Sequence, residues 1–274
     1  MDHTLKDLDD LLVVPGRKLD LAERPTAIDL PGDPSKEEIA AELATLRERI
    51  GDLQDRMYTR HEQALLVVLQ GMDSAGKDST TKAVFTGVNP LGIHAASFSV
   101  PTPLERHHDY LWRVHAQVPP LGSIGVFNRS HYEEPVIRRA HGELKNGAMK
   151  LFLQQIVEFE TLLARTGTAV AKCFLHLGAE EQRKRLQERI DNPAKNWKFD
   201  PSDLQERKYW NDYQAAYADA LAGTSTELAP WYVVPADRKP VRDLLVARLV
   251  LRALERLQPP PPAPKPELRG LKVR

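Results

Sequence analysis

A single cysteine, Cys173, occurs in the whole sequence, which excludes an intramolecular disulfide and favours a reducing compartment. Because Cys173 lies in the apolar run 170–177, we interpret it as a buried structural thiol rather than a nucleophile. No stretch approaches the ~18 uninterrupted apolar residues that a membrane-spanning helix needs. The first residues, Met1-Asp2-His3-Thr4-Leu5-Lys6, lack the basic and apolar regions of a signal peptide. These absences predict a cytoplasmic protein with no membrane partner.

An excess charge of either sign is also missing, since 38 Lys and Arg balance 38 Asp and Glu. A neutral chain has no general attraction for polyanions, so nucleic acid is not an expected partner and any anion site must come from local clustering. The nine histidines form no metal-ligand spacing, and no His-Glu-x-x-His occurs. We therefore expect neither a zinc site nor a histidine phosphoenzyme.

Alternating patterns of strand and helix occupy most of the chain. The first ~35 residues are rich in Pro, Asp and Gly and predict an irregular arm. Ser35 and Glu38 have capping-box spacing and predict a helix to about Arg60. The apolar spacing of that helix fits either packing on its own domain, which we favour, or a short coiled-coil seam interrupted by Gly51. Further strands are predicted at 64–70, 95–100, 123–127, 169–177 and 231–234, and helices at 76–85, 104–118, 148–165, 179–190, 201–221 and 241–257.

Strands separated by helices predict an α/β fold, a three-layer α/β/α sandwich with a mostly parallel central sheet. We divide the chain into an N-terminal arm and helix (1–60), one large α/β domain (61–258) with a lid around 182–208, and a disordered Pro-rich tail (259–274).

The segment Gly71-Met72-Asp73-Ser74-Ala75-Gly76-Lys77 follows the first buried strand and precedes a helix, the context of a phosphate-binding P-loop. Glycines let several backbone N–H groups point at one phosphate, and the helix N-terminus adds partial positive charge. Lys77 would reach the transferred group. Asp78 stands where a Ser or Thr usually holds Mg²⁺, and a carboxylate, Asp73, lies in the loop. Because a phosphate would repel it, we expect Asp73 to face Mg²⁺ or to reach the acceptor phosphate through metal-bound water; a solvated turn residue is the alternative. The domain 61–258 is therefore predicted to be a P-loop phosphotransferase domain.

Basic residues cluster between 182 and 198, where six Lys or Arg outnumber two acids in a chain that is neutral overall. Arg185 and Arg189 lie four apart and are predicted to share a helix face, with Leu186 and Ile190 packed inward. The cluster adjoins the loop 191–200, which favours a lid closing over an anionic substrate, and a solvated basic helix is the alternative. Trp197 would stack on a base or anchor the lid.

The P-loop string together with Val126-Phe127-Asn128-Arg129-Ser130-His131-Tyr132-Glu133-Glu134 closely resembles the family-2 polyphosphate kinases. The resemblance continues through Gly87-Val88-Asn89-Pro90, the segment 110–115, the segment 185–193, Trp197-Lys198-Phe199 and Ala229-Pro230-Trp231-Tyr232, and so spans residues 65–235. It implies a thymidylate-kinase-like core with a helical lid, and transfer of the terminal phosphate of inorganic polyphosphate to a nucleotide with Mg²⁺, or alternatively Mn²⁺. A homo-oligomer, dimer or tetramer, is expected.

The same resemblance implies roles for individual residues. Asp73, Lys77, Asn128 and Arg129 would be catalytic, with Asp73 also the Mg²⁺ ligand. Asn128, with Ser130-His131-Tyr132-Glu133, resembles the subgroup that accepts both nucleoside mono- and diphosphates, although Glu134-Pro135 and Ser79 depart from its pattern. Phosphate or polyphosphate would be bound by Gly71, Ala75, Gly76, Asp78, Ser79, Lys82, Arg185, Arg189, Lys195 and Lys198, and the acceptor nucleotide by Glu133, Glu134, Arg139 and Asp203.

The residues themselves leave other interpretations open. Arg129 at the end of a parallel strand is placed where such sheets bind ligands, but an arginine packed in the core is the alternative. Glu133 or Glu134 could hold a metal ion or could simply begin a helix as an acid. For the whole protein, the alternatives are an ATP-dependent nucleoside or nucleotide kinase and a non-catalytic nucleotide-sensing P-loop module.

Overall fold

The computed structural model describes residues 5–262, 265–269 and 272. The predicted disordered tail, 259–274, lies partly outside the described residues; its described part includes a 3₁₀ turn at Pro266–Leu268. In chain order the elements are α1 (Lys36–Arg60), β1 (Ala64–Gln70), α2 (Lys77–Phe85), β2 (Ile93–Ser97), α3 (Trp112–His115), β3 (Ile124–Asn128), α4 (Glu133–Ala140), α5 (Asn146–Arg165), β4 (Thr168–His176), α6 (Ala179–Asp191), α7 (Ser202–Glu206), α8 (Trp210–Thr224), β5 (Trp231–Pro235) and α9 (Lys239–Leu257).

The five strands form one parallel sheet in the order β2-β3-β1-β4-β5. β1 lies at its centre, and every residue from Ala64 to Gln70 is buried, as expected of a parallel strand covered on both faces. The apolar side chains form one core on each face of the sheet. The carboxyl ends of β1 and β3 therefore meet at one edge, where the P-loop follows β1 and Arg129 follows β3. The predicted α/β sandwich is confirmed.

The N-terminal arm is irregular apart from short 3₁₀ turns at Leu8–Leu11 and Leu21–Glu23, but it is packed against the domain. The backbone N–H of Val13 donates to Trp231 O at 2.8 Å, and Leu12 forms an isolated antiparallel bridge with Tyr232. The arm thus covers the β5 edge of the sheet, and its apolar side chains join both cores.

α1 begins with the predicted capping box, in which Ser35 Oγ accepts from Glu38 N at 3.1 Å and Glu38 Oε2 accepts from Ser35 N at 2.7 Å. Its apolar stripe lies in the same core as α9. Packing on its own domain is therefore confirmed, and Gly51 does not interrupt the helix.

Two predicted helices were wrong in extent. The segment 104–118 contains only a 3₁₀ turn at Glu105–His107 and the single turn of α3. The Asp109 side chain accepts from Leu111 N at 3.0 Å, a local bond that competes with helix formation. The segment 201–221 is broken into α7, a 3₁₀ turn at Arg207–Tyr209 and α8. At the break, the Arg207 side chain donates to Ala179 O and Gln182 Oε1 near the start of α6.

Two smaller differences lie beside the site. β2 occupies Ile93–Ser97 rather than 95–100. α4 was not among the predicted helices and begins directly after the Arg129 turn. Its Pro135 lies in the first turn, where a backbone N–H has no acceptor within the helix, so the missing N–H of proline costs no hydrogen bond.

Candidate active site

The P-loop backbone takes a conformation that depends on two glycines. Gly71 has φ +153°, and a Cβ there would lie 2.7 Å from Leu175 O. Gly76 has φ +102°, and a Cβ there would lie 2.0 Å from a nitrogen of Arg242. Both distances are shorter than any real contact. A side chain at Gly71 would push against the backbone of β4, and one at Gly76 would displace the Arg242 guanidinium and be strained by the positive φ. Ser74 also has a positive φ, +67°, a strained conformation for a residue with a side chain.

Two buried arginines hold this loop from behind. Arg185 on α6 donates to Ser74 O at 3.1 Å and to Ala75 O at 3.3 Å, and the rest of its guanidinium bonds Glu181 and the two carbonyls that follow β5. Arg242 on α9 donates to Ala75 O at 2.9 Å. These bonds fix the backbone of the loop, which is closed further by the Ala75 N–H donating to Met72 O at 3.1 Å. A loop of this shape forms a concavity that suits an anion.

The burial of Arg185 corrects the expectation that it contacts polyphosphate. Its side chain is 6% exposed, and its N–H groups are taken by the bonds just described. Arg185 and Arg189 do not share a solvent-facing side; Leu186 is buried as predicted, but Ile190, predicted to pack inward, is exposed. The side of α6 that packs inward is therefore shifted by one residue from the side that the sequence predicts.

Lys77 is the first residue of α2 and is buried, with 8% of its surface exposed. Its Nζ donates to Gly71 O at 2.6 Å and to Met72 O at 3.4 Å, so the ammonium lies across the loop. Burial lowers the pKa of Lys77, and the carboxylates of Glu133 and Asp73 oppose that shift. No side chain in the described part of the chain caps the start of α2, so its first N–H groups are free to bind an anion.

Arg129 and Glu133 face the loop from the end of β3. Arg129 Nη2 lies 3.3 Å from Asp73 Oδ1. Burial raises the pKa of Glu133, although the charges of Lys77 and Arg129 lower it. When the Gln70 amide is oriented so that its oxygen accepts from Ser130, its nitrogen donates to Glu133 Oε1 at 3.0 Å. The site therefore alternates cations and carboxylates around one small volume.

Asn128, the last residue of β3, donates from Nδ2 to the Asp78 carboxylate. Ser79 Oγ donates to Gly76 O at 2.9 Å and accepts from Arg242 Nη2 at 3.0 Å. Asp78 and Ser79 thus line the start of α2 beside the loop, with Asn128 linking β3 to it.

A cavity of about 330 Å³ lies over the P-loop, and we call it the donor cavity. The lid segment, residues 192–203, forms part of its wall with Trp197, Lys198 and Asp203. Arg189 also lines it, donating to Lys198 O at 3.1 Å and lying 3.5 Å from Asp203 Oδ2. Burial, and next the charge of Asp73, raise the pKa of Asp203.

A larger cavity of about 880 Å³ lies on the other side of Arg129, and we call it the acceptor cavity. Glu133 and Glu134 line it, together with aromatic side chains and with arginines from three separate segments. The aromatic residues are Phe98, Tyr110 and Phe152, and the arginines are Arg106, Arg113 and Arg138. Arg129 lines both cavities.

Comparison with known proteins identifies the family of a chain with this geometry. Residues 33–261 match the family described as Polyphosphate kinase 2 (PPK2). The chain belongs to the polyphosphate kinase 2 family. The predicted family and the predicted enzyme class, a phosphotransferase, are confirmed.

Two relatives match this chain over most of their own length. An AMP/ADP-polyphosphate phosphotransferase from Meiothermus ruber is 48% identical over 223 residues, which cover 81% of this chain and 84% of the relative. An ADP-polyphosphate phosphotransferase from Rhodopseudomonas palustris is 44% identical over 255 residues, covering 89% and 88%. The crystal structure of polyphosphate kinase 2 from Arthrobacter aurescens TC1 aligns with a TM-score of 0.88 at 37% identity, covering 97% of this chain and 93% of that one.

Most residues with an assigned role lie together around the P-loop and the two cavities, and three further corrections join that of Arg185. Lys82 is exposed on α2 and lines neither cavity. Lys195 lies in the lid segment but pairs with Glu188 on α6. Arg139 donates to Leu144 O at 3.1 Å and lies 3.8 Å from Asp219 on α8, so it points away from the acceptor cavity. The geometry does not support direct substrate contacts for these three residues.

Two groups of residues escaped the sequence analysis. Arg242 supports the P-loop, but in sequence it is one of several arginines on an amphipathic helix. Arg106 and Arg113 lie in one mostly irregular stretch and Arg138 lies on α4, and only the fold brings the three to one cavity. Arg113 lies in the segment 110–115 that carries the family resemblance, which was the one available signal.

The site also suits a divalent cation that is shared with substrate. Asp73 and Asp78 both line the donor cavity, and Mg²⁺ is commonly held by one or two carboxylates together with substrate phosphates. Within the described ranges, no group of three His, Cys, Asp or Glu side chains could hold a metal ion. The same part of the chain contains no helix that is long and apolar enough to cross a membrane.

Proposed function

We propose that this protein is a polyphosphate-dependent nucleotide kinase that transfers the terminal phosphate of inorganic polyphosphate to ADP and to AMP, reversibly. Family membership supports the reaction, and the relatives named as AMP/ADP- and ADP-polyphosphate phosphotransferases support the two acceptors. The Asn128 and Ser130-His131-Tyr132-Glu133 pattern supports acceptance of the monophosphate as well as the diphosphate.

The observation that carries the proposal is the position of Arg129 between the two cavities. A phosphoryl group must pass between donor and acceptor in line, and catalysis consists mainly of positioning and charge compensation. A guanidinium that faces both cavities can contact the transferred group from its start to its end. Its planar array of N–H donors also suits phosphate oxygens.

The donor cavity is suited to the end of a polyphosphate chain. The loop N–H groups and Lys77 bind its phosphates, and Arg189 and Lys198 provide positive charge from the lid side. Mg²⁺, or alternatively Mn²⁺, would be held by Asp73 and substrate phosphates, where it would neutralise charge on the transferred group. Asp203, assigned to the acceptor, lies in this cavity and is here given the role of orienting Arg189.

The acceptor cavity is suited to a nucleotide. Its arginines, Arg106, Arg113 and Arg138, provide charge for the nucleotide phosphates, and its aromatic side chains offer a surface for the base. A terminal phosphate oxygen of the nucleotide attacks the terminal phosphorus of polyphosphate. The bond from that phosphorus to its bridging oxygen breaks, and the shortened chain leaves with the bridging oxygen. No covalent nucleophile is needed.

The test is to incubate purified protein and Mg²⁺ with polyphosphate and AMP, ADP, GMP or GDP in turn, and to resolve the nucleotide products. We expect ATP from ADP, and ADP followed by ATP from AMP. Phosphorylation that requires ATP and ignores polyphosphate would establish the ordinary nucleotide kinase instead. Conversion of ADP with AMP untouched at saturating polyphosphate would exclude the mono- and diphosphate subgroup while leaving the family function intact.

We also propose that the protein acts in the cytoplasm as a homo-oligomer, a dimer or tetramer. Burial of the lone Cys173, which raises the pKa of its thiol to about 12, is compatible with a reducing compartment in which the thiol has no chemical role. Light scattering coupled to gel filtration measures the assembly directly, and a monomer across the working concentration range would contradict this part of the proposal.

A further inference from the structure

The turn that carries Arg129 into the site is strained. Arg129 has φ +66°, a left-handed conformation that residues with a side chain rarely adopt. A strained backbone persists only where the surrounding contacts fix it. The next four residues, Ser130 to Glu133, lead into α4, and Glu133 also faces the P-loop. The contacts of this turn therefore decide where both charged groups lie.

The middle of the turn is held by one buried carboxylate, Glu160 on α5. Its Oε1 accepts from Tyr132 Oη at 2.7 Å and pairs with His131 Nε2 at 3.1 Å. Its Oε2 accepts from Lys172 Nζ on β4 at 2.5 Å. Lys172 in turn donates to Tyr132 Oη at 3.0 Å and to Thr224 O, at the end of α8, at 2.9 Å. Two consecutive side chains of the turn are thus tied to three other elements.

The hydrogen bonds of this network are nearly complete. All three donors of Lys172 are used, and both oxygens of Glu160 accept. Burial lowers the pKa of His131, which keeps the ring neutral, so the proton lies on Nε2 toward Glu160. The other ring nitrogen, Nδ1, has no partner among the described residues. Glu160, Lys172, Tyr132 and His131 are each 3% exposed or less.

A buried ion pair such as Glu160–Lys172 contributes little to stability, because the desolvation of the two charges offsets most of their attraction. Apolar replacements of such pairs are often tolerated. The hydrogen bonds of the Glu160–Lys172 pair instead converge on the Arg129 turn. We propose that Glu160, supported by Lys172, is a positioning residue for phosphoryl transfer, which holds the His131-Tyr132 turn so that the Arg129 guanidinium lies between the two cavities. This inference rests on the role of Arg129 in the proposed function.

The test is a double-mutant cycle on kcat with Arg129→Ala. Because misplacement by about 1 Å can cost on the order of 100-fold in rate, we expect Glu160→Gln to lower kcat about 10- to 100-fold. We expect KM for polyphosphate to stay within about twofold, since the P-loop is untouched. In the Arg129→Ala background, where no guanidinium remains to be placed, Glu160→Gln should lower kcat by less than about threefold.

Tyr132→Phe provides a second, milder variant that removes the hydroxyl bonded to Glu160, Lys172 and Thr224 and leaves the Glu160–Lys172 pair in place. We expect it to lower kcat about tenfold, with the same loss of effect in the Arg129→Ala background. Tyr232→Phe is the matched control, because it removes a hydroxyl from a buried tyrosine whose side chain lies in the core on the opposite face of the sheet. It should leave kcat unchanged.

Equal losses of kcat in the wild-type and Arg129→Ala backgrounds would overturn the inference. A lowered Tm with unchanged kcat would also overturn it and leave the network with a purely structural role. If Glu160→Gln does not fold, the Tyr132→Phe cycle decides alone. Failure of the proposed function would appear separately, as wild-type protein that does not use polyphosphate. The inference fails only if wild type is active and the cycle shows no coupling.

Discussion

The P-loop and the lid segment face each other across the donor cavity, yet they are held in opposite ways. The loop carbonyls are bound by two buried arginines, and the loop lies against the core of the sheet. The lid segment contains a single 3₁₀ turn, Asn196–Lys198, and its Trp197 is 78% exposed. One wall of the cavity is fixed by buried contacts, and the other by a few surface contacts.

This difference indicates that the two walls of the donor cavity have different roles. A fixed wall suits the groups that must be in place for the chemistry, because errors of position there cost rate directly. A weakly held wall suits groups that admit and release a long substrate, because opening costs little. Variants of the P-loop wall should therefore lower kcat, and variants of the lid segment should weaken substrate affinity.

The largest expected effect is at the fixed wall. Lys77→Ala should lower kcat on the order of 1,000-fold, because it removes charge compensation at the transferred group. The loss of the bonds to Gly71 O and Met72 O should lower the melting temperature, but the protein should still fold because Arg185 and Arg242 continue to hold the loop. Lys82→Ala, five residues along the same helix and outside both cavities, is the control and should keep full rate. Comparable losses in the two variants would contradict the assignment of Lys77.

Asp73→Asn tests the metal on the same wall. We expect a loss of kcat of about 100-fold, since the amide is a poorer Mg²⁺ ligand, and partial recovery as Mg²⁺ is raised. Titration of activity against Mg²⁺ for wild type and variant measures this directly. A variant whose activity does not respond to Mg²⁺ would leave Asp73 without a metal role and favour its ion pair with Arg129.

Arg185→Met and Arg189→Met compare the two walls with one chemical change, four residues apart on α6. Arg185→Met leaves loop carbonyls unsatisfied and should cost about 3 kcal/mol of stability, measured by denaturant unfolding. Arg189→Met should leave stability within about 0.5 kcal/mol, since its ion pair is partly exposed, while raising KM for polyphosphate. Similar stabilities for the two variants would remove the distinction between the walls.

The smallest effect concerns the lid charges. Binding of a polyanion releases counterions, so affinity for polyphosphate should fall steeply with salt. Arg189→Ala with Lys198→Ala should reduce the log–log slope by roughly 1 to 1.5. Arg183→Ala with Lys184→Ala makes the same change in charge on α6, outside the donor cavity, and should leave the slope unchanged. Parallel slopes for both double variants would remove the lid from the donor site.

The sequence predicts the P-loop itself better than the residues that hold it in place. β1 and the P-loop are contiguous, and a buried strand followed by glycines and a lysine has a local physical meaning. The phase of α6 was misjudged because a basic helix gives no local sign of which arginine is buried. The predicted helix at 104–118 was wrong, and a local hydrogen bond of the Asp109 side chain competes with helix formation there. Glu160 and Lys172 were not singled out, since a buried ion pair between α5 and β4 exists only once the fold brings them together.

The central claim is direct transfer between two cavities that meet at Arg129. Its most direct test is the initial rate of ATP formation from ADP and polyphosphate, varied together at saturating Mg²⁺, with no other phosphate donor present. Both substrates must be bound at once, so double-reciprocal plots should intersect, and incubation with polyphosphate alone should leave the protein unphosphorylated. Parallel lines with a phosphorylated protein, or no ATP at all, would contradict the account.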